Sequence, residues 1–120
     1  MRKKSTAAEP LALARQVADF ALTKKAEDVV MLDLGKVSAA ADYFVVASGS
    51  SDVQVKAIAD AIVEGLETAG VKVWHIEGYS NGRWVLIDLV DVVVHVLHKE
   101  AREFYALERL WGDAPKTRVA

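Results

Sequence analysis

The chain has 120 residues, 52% of them apolar and 27% charged, and a formal charge of −2 at pH 7. These values describe one compact domain with its own core; they exclude a disordered chain and give no general attraction to nucleic-acid phosphates. With no cysteine, the chain has neither a disulfide framework nor a thiolate metal site, in keeping with a reducing compartment.

Residues 1–8, which hold the only basic cluster, Arg2, Lys3 and Lys4, are expected to form a flexible tail. That tail has no apolar stretch of the kind a secretory signal needs. Pro10 suits the first turn of a helix, and Leu11, Ala14, Ala18, Ala21 and Leu22 recur at helical spacing to about Lys25. Residues 28–34 read as a strand because Val29, Val30, Met31 and Leu32 form a nearly continuous apolar run. A second strand follows at 43–47, rich in aromatic and β-branched side chains.

Ser48-Gly49-Ser50-Ser51 breaks that strand and opens a helix, with Ser51 and Gln54 spaced for a capping box. Val55, Ile58, Ala59, Ile62, Leu66 and Ala69 make one apolar stripe, and Gly70 stands where a C-terminal cap belongs. A short strand at 72–77 and two longer ones at 84–88 and 91–96 come next. A last helix is predicted from about 99 to 111, with Ala101, Phe104, Leu107 and Trp111 inward and Gly112 ending it. Residues 115–120 are expected to be a second flexible tail. The order α-β-β-α-β-β-β-α predicts one α/β domain over 9–114, a mixed sheet of about five strands with helices packed on it. Asp88 and Asp91 interrupt the most hydrophobic run, so no membrane span is expected.

Residues 77–95 hold the most informative pattern. Alternation puts Trp84, Leu86 and Asp88 on one side of a strand, with Val85 and Ile87 on the other. In the next strand Asp91, Val93 and His95 share a side, opposite Val92, Val94 and Val96. One side is aliphatic and reads as core. The other mixes an aromatic, aliphatics, two carboxylates and a histidine, which suits a partner surface better than a core or a solvated face. Trp84 is its candidate anchor, since aromatics dominate interface energetics; a strand tryptophan is otherwise a core residue.

Several constellations have a chemical reading beside a plain one. The Gly-Ser turn at 48–51 can hold a phosphate or simply cap a helix; it lacks the lysine and spacing of a P-loop. Asp88 and Asp91 can be turn residues, an acidic patch for a basic partner, or an acid–base or metal-binding pair. Among carboxylates, Asp42, Asp88 and Asp91 form no D-x-D pair along one strand. His95 and His98 lie close in sequence but have no third ligand beside them, so no metal and no cofactor are expected. No serine sits in a nucleophile frame.

Six blocks in order resemble the ribosomal silencing factor family, also called RsfS or Iojap, from about Ala18 to Ala114. They are Asp42-Tyr43-Phe44-Val45-Val46 with Ser48-Gly49-Ser50-Ser51, then Ile58-Ala59-Asp60, and Glu77-Gly78. Trp84-Val85-Leu86-Ile87-Asp88 and Asp91-Val92-Val93-Val94-His95-Val96 follow, and the run from Arg102 to Trp111 is the last. The resemblance implies a nucleotidyltransferase-like fold that has lost its catalytic carboxylates. It implies a non-enzymatic translational repressor that binds the large ribosomal subunit through its protein number fourteen. Bound there, the protein blocks joining of the small subunit and damps translation in nutrient limitation and stationary phase. Partner-binding residues would then be Trp84, Leu86, Asp88, Asp91, Glu77 and His95, with no direct sequence-specific nucleic-acid contact, no membrane and a cytoplasmic location. Two departures stand out: Val90 replaces the usual glycine between the aspartates, so that turn must differ or be strained, and Gln54 replaces a frequent histidine. The rival reading is a nucleotide-binding or nucleotidyltransferase-type protein using the Gly-Ser turn with Asp88 and Asp91. A third makes the free protein a homodimer through its exposed sheet face.

Overall fold

The computed structural model describes residues 9–35, 37, 39–105, 109 and 112–120, without the side chains of 104 and 105. Helix α1 spans Pro10–Leu22 and begins on the proline at its first turn, where a missing N–H costs nothing. It ends in a left-handed Lys25 (φ 60°), whose N–H reaches Leu22 O while Ala26 N reaches Ala21 O. Strands β1 (Glu27–Asp33) and β2 (Tyr43–Gly49) pair antiparallel, with a register irregularity between Glu27 and Val30. Helix α2 covers Asp52–Thr68, capped by the Ser51 hydroxyl, which accepts from Gln54 N at 3.0 Å. Gly70 (φ 79°) closes it as expected, with Val71 N bonded back to Leu66 O.

Short β3 (His75–Glu77), β4 (Trp84–Asp88) and β5 (Val92–His98) follow, then α3 (Lys99–Tyr105) and β6 (Lys116–Arg118). The remainder of the last predicted helix, with Leu107 and Trp111, lies outside the described residues, as do the Phe104 side chain and residues 1–8. The sheet has six strands in the order β3-β4-β5-β2-β1-β6, with β2 and β5 parallel at its centre and every other pair antiparallel. The sixth strand corrects the expected count of about five and the C-terminal tail at 115–120. Residues 116–118 pair with 30–32, where β1 would otherwise leave its outer backbone groups unpaired.

Two cores sit on opposite faces of the sheet. On one, α1 and α2 bury Ala14, Val17, Ile58, Ile62 and Leu66 against Val45, Val85, Ile87, Val94 and Val96. Each large aliphatic so enclosed contributes about 2 kcal/mol. The other core is smaller: Val30, Leu32, Leu34, Val46 and Leu97 with Ala101 of α3 and Ala114. The continuous apolar run of β1 is explained by this, because Val29 and Met31 enter the first core and Val30 and Leu32 the second. Among the described residues no helix is long and apolar enough to cross a membrane.

Candidate functional site

Helix α3 lies over the β1–β2–β5 part of its face, and β4 and β3 continue that face beyond it. The register fixes what stands there. Glu77, Leu86, His95 and Val46 form one cross-strand row; His75, Asp88, Val93 and Phe44 form the next; Trp84, Leu97 and Ser48 form a third. Neighbouring positions in a row are about 4.8 Å apart. Exposure falls along each row: His75 and Glu77 are exposed, Trp84, Leu86 and Asp88 half-buried, and His95 and Leu97 buried. The result is an open strip, rimmed by an exposed His75–Glu77 pair at 3.0 Å and floored by Leu86, with Trp84 where the strip meets the smaller core.

Trp84 is held from behind. Its indole Nε1–H donates to His95 Nδ1 at 3.1 Å, and the His95 ring meets Phe44 edge-on with centroids 4.5 Å apart. Accepting at Nδ1 places the proton of a neutral imidazole on Nε2. That Nε2 is buried and has no hydrogen-bond partner among the described residues. Burial also pushes the His95 pKa down from 6.5 to about 4, since the charged ring would lose its hydration. A neutral His95 therefore orients the indole. Phe44 was missed as part of this arrangement; only its alternation with Val46 in β2, parallel to β5, could have signalled it.

Asp88 and Asp91 do not face a common ligand. Asp88 Oδ1 accepts from Val90 N at 2.8 Å, closing the turn between β4 and β5. Asp91 is buried; its carbonyl accepts from Asp42 N and Tyr43 N, tying the starts of β5 and β2 together. Asp91 N donates to Leu89 O at 3.0 Å across Val90, whose φ is 75°. This is the positive-φ form of a γ-turn, strained for a β-branched side chain, as the absence of glycine at 90 led one to expect. Of the six sequence-predicted residues, Trp84, Leu86, Asp88 and Glu77 reach the open strip. His95 and Asp91 are enclosed beneath it and beside it, because α3 and the β2–β5 pairing cover the positions that alternation alone leaves facing outward.

The Gly-Ser turn is elsewhere. β2 and β5 run parallel, Tyr43 opposite Val92 and Gly49 opposite His98. Residues 48–51 thus leave the sheet at the end opposite Asp88 and Asp91, about 20 Å away along seven strand residues. No single nucleotide site can use both. Both donors of Ser50 are also taken: Gln54 Oε1 accepts from Ser50 N at 2.7 Å and from Ser50 Oγ at 2.9 Å, while Ser51 Oγ accepts from Gln54 N. The reciprocal arm of the expected capping box therefore falls on Ser50 rather than Ser51. Gln54 Nε2 in turn donates to the carbonyls of Lys24 and Lys25, fastening the end of α1 to the start of α2. His95 and His98 lie on opposite faces of β5 and cannot share an ion. No group of three acidic or histidine ligands occurs among the described residues.

The family described as "Ribosomal silencing factor during starvation" matches residues 6–120. The chain is 52% identical over 92 residues to ribosomal silencing factor RsfS of Bacillus subtilis, covering 77% of this chain and 78% of that one. A crystal structure of protein CV0518 from Chromobacterium violaceum superposes with a TM-score of 0.86 at 34% identity, covering 94% of each chain. More distantly, it is 30% identical over 91 residues to mouse "Mitochondrial assembly of ribosomal large subunit protein 1", covering 73% of this chain and 40% of that protein. The match across nearly the whole domain, in sequence and in fold, shows that the chain belongs to the ribosomal silencing factor (RsfS/Iojap) family.

Proposed function

We propose that this protein is a non-enzymatic translational repressor that docks its open sheet face on the large ribosomal subunit, through ribosomal protein number fourteen. Occupying the joining face there, it keeps the small subunit off by steric exclusion and damps translation in the cytoplasm when nutrients are short. Family membership supports ribosomal silencing, and the name of the mouse relative supports the large subunit as the partner. The observation that carries the site is Trp84: half-buried, aimed by a buried histidine, and followed by Leu86, Asp88 and Glu77 toward a sheet edge. Trp84 and Leu86 supply apolar contact, Asp88 and Glu77 meet a basic surface, and His95 and Asp91 hold the strip in shape. Docking needs only about 800 Å² on each partner and no turnover.

The test is co-sedimentation with purified large and small subunits for the native chain, Trp84→Ala and Leu86→Glu. Retention on large subunits alone is expected, with Trp84→Ala weakening it by about 2 kcal/mol or more, roughly thirtyfold. Leu86→Glu tests the apolar contact at a half-buried position opposite His95, and circular dichroism of both variants separates loss of contact from loss of fold. Native retention of both variants, or none by the native chain at low salt, would overturn the reading. A second reading applies to the free protein: Trp74 (63% exposed) and Ile76 (39% exposed) on and beside edge strand β3 favour self-association of this sheet into a homodimer. Sedimentation velocity of the isolated chain and of Trp74→Ser tests it: a dimer lost in the variant supports the reading, and a monomeric native chain overturns it.

A further inference from the structure

Edge strand β3 is held by little of its own. Its three residues are exposed and pair with β4 alone, and every residue from Trp74 to Asn81 is exposed with them. With so little surface removed from water, such a strand opens locally while the core stays folded.

The loop from β3 to β4 is fastened differently. Gly82 is buried, and a Cβ added there would fall 3.0 Å from Asp52 O and 3.1 Å from Lys56 Cε. Lys56 Nζ stands 5.7 Å from the centroid of the Tyr79 ring, and the Tyr79 hydroxyl donates to Asp60 Oδ2 at 3.1 Å. Asp52, Lys56 and Asp60 follow one another at intervals of four, so they form a single row along α2 beside its buried stripe. The loop therefore lies along the helix at three points, each about 6 Å from the next.

These contacts are outside both cores and across the sheet from the docking strip. Helix α2 packs on the face of Val85 and Ile87, whereas Trp84, Leu86 and Asp88 face the other way. A partner seated on the strip meets Glu77, the cross-strand neighbour of Leu86, but not Asp60. We infer that Asp60 and Tyr79 are positioning residues for docking: they tether the β3–β4 loop to α2 and so keep Glu77 in line with Leu86 and Trp84. This rests on the strip being the docking surface. Without the tether β3 is open more of the time, and affinity falls with the closed fraction.

Tyr79→Phe removes only the hydroxyl and leaves the charge unchanged; Asp60→Ala removes the acceptor at an exposed helix position that alanine suits. Native-state amide hydrogen exchange of the isolated full chain reads the tether. The Trp74 amide, which donates to Asp88 O at 2.9 Å, should exchange about fivefold faster in each variant and no faster again in the double variant. The β5 amides should exchange no faster, and the urea midpoint should not fall. Co-sedimentation reads the positioning: retention on purified large subunits should weaken about threefold in each variant. Native Trp74 exchange in the variants, or β5 exchange accelerated in step with it, would overturn the tether. Faster Trp74 exchange with native retention would overturn the positioning role. No retention of the native chain would remove the docking reading and this role with it, while the exchange result still decides the tether, so the two failures are told apart.

Discussion

His95→Leu should change how the stability of this protein depends on pH more than it changes stability itself. The folded-state pKa of His95 is about 4, below the 6.5 of an exposed histidine, because its ring is buried. Between those values the unfolded chain binds a proton that the native protein refuses, so stability is fully present above about pH 6.5 and is lost as pH falls toward 4. The full difference corresponds to about 3 kcal/mol, of which about 2 kcal/mol is gone by pH 5. That is a large share of a stability typically about 5–15 kcal/mol. A protonated ring could also no longer accept from Trp84 Nε1, so the indole would lose its anchor in the same window. In His95→Leu the Trp84 bond is lost, costing about 1 kcal/mol, but a buried N–H without an acceptor goes with it, which offsets that cost. Urea unfolding of both proteins at pH 7 and pH 5, followed by circular dichroism and tryptophan fluorescence, measures the two differences. Carboxylates begin to titrate at the lower pH in both proteins, so the comparison between them isolates the histidine. The native chain should lose about 2 kcal/mol more than the variant. Parallel losses would refute the neutral, buried histidine behind Trp84.

Val90→Gly should stabilise the fold by about 1 kcal/mol: relief of the positive φ outweighs the added freedom of the unfolded chain and the loss of a half-buried side chain. A melting temperature raised by about 4 °C would show it, and a lower one would mean that the turn is not strained. Gly78→Ala should cost about 3 kcal/mol, since its φ is 79° and an added Cβ would fall 2.1 Å from the Trp84 carbonyl oxygen. Chemical denaturation measures that loss; the same variant should also displace Trp84 and weaken retention on large subunits. Trp84→Ala and Leu86→Glu should both weaken that retention while small-subunit binding stays absent, read by the co-sedimentation already described.

Local pattern was enough for much of this protein. Pro10, Ser51 and Gly70 mark helix ends because each answers a local backbone need: an N–H that can be missing, an unsatisfied donor, a left-handed residue. Alternation along 84–88 and 92–96 assigned Val85, Ile87, Val92, Val94 and Val96 to the core and Trp84, Leu86 and Asp88 to the opposite side, because a strand turns each successive side chain over. Even the strain at Val90 was readable, since a β-branched residue takes a positive φ only under constraint. What alternation could not say is what covers each side. His95 shares its face with Trp84, yet Phe44 and the smaller core enclose it, and its role passes from contact to support. The parallel pairing of β2 with β5 sends the Gly-Ser turn and the two aspartates to opposite ends of the sheet, and the pairing of 116–118 with β1 turns an expected tail into an edge strand. The hydrogen bonds that gather Asp28, Ser48 and Arg102 join residues up to 74 positions apart. Side-chain direction follows from a backbone repeat of two residues and is local; strand order, strand direction and burial depend on which distant segments remove each other's surface from water, and only the folded chain decides that.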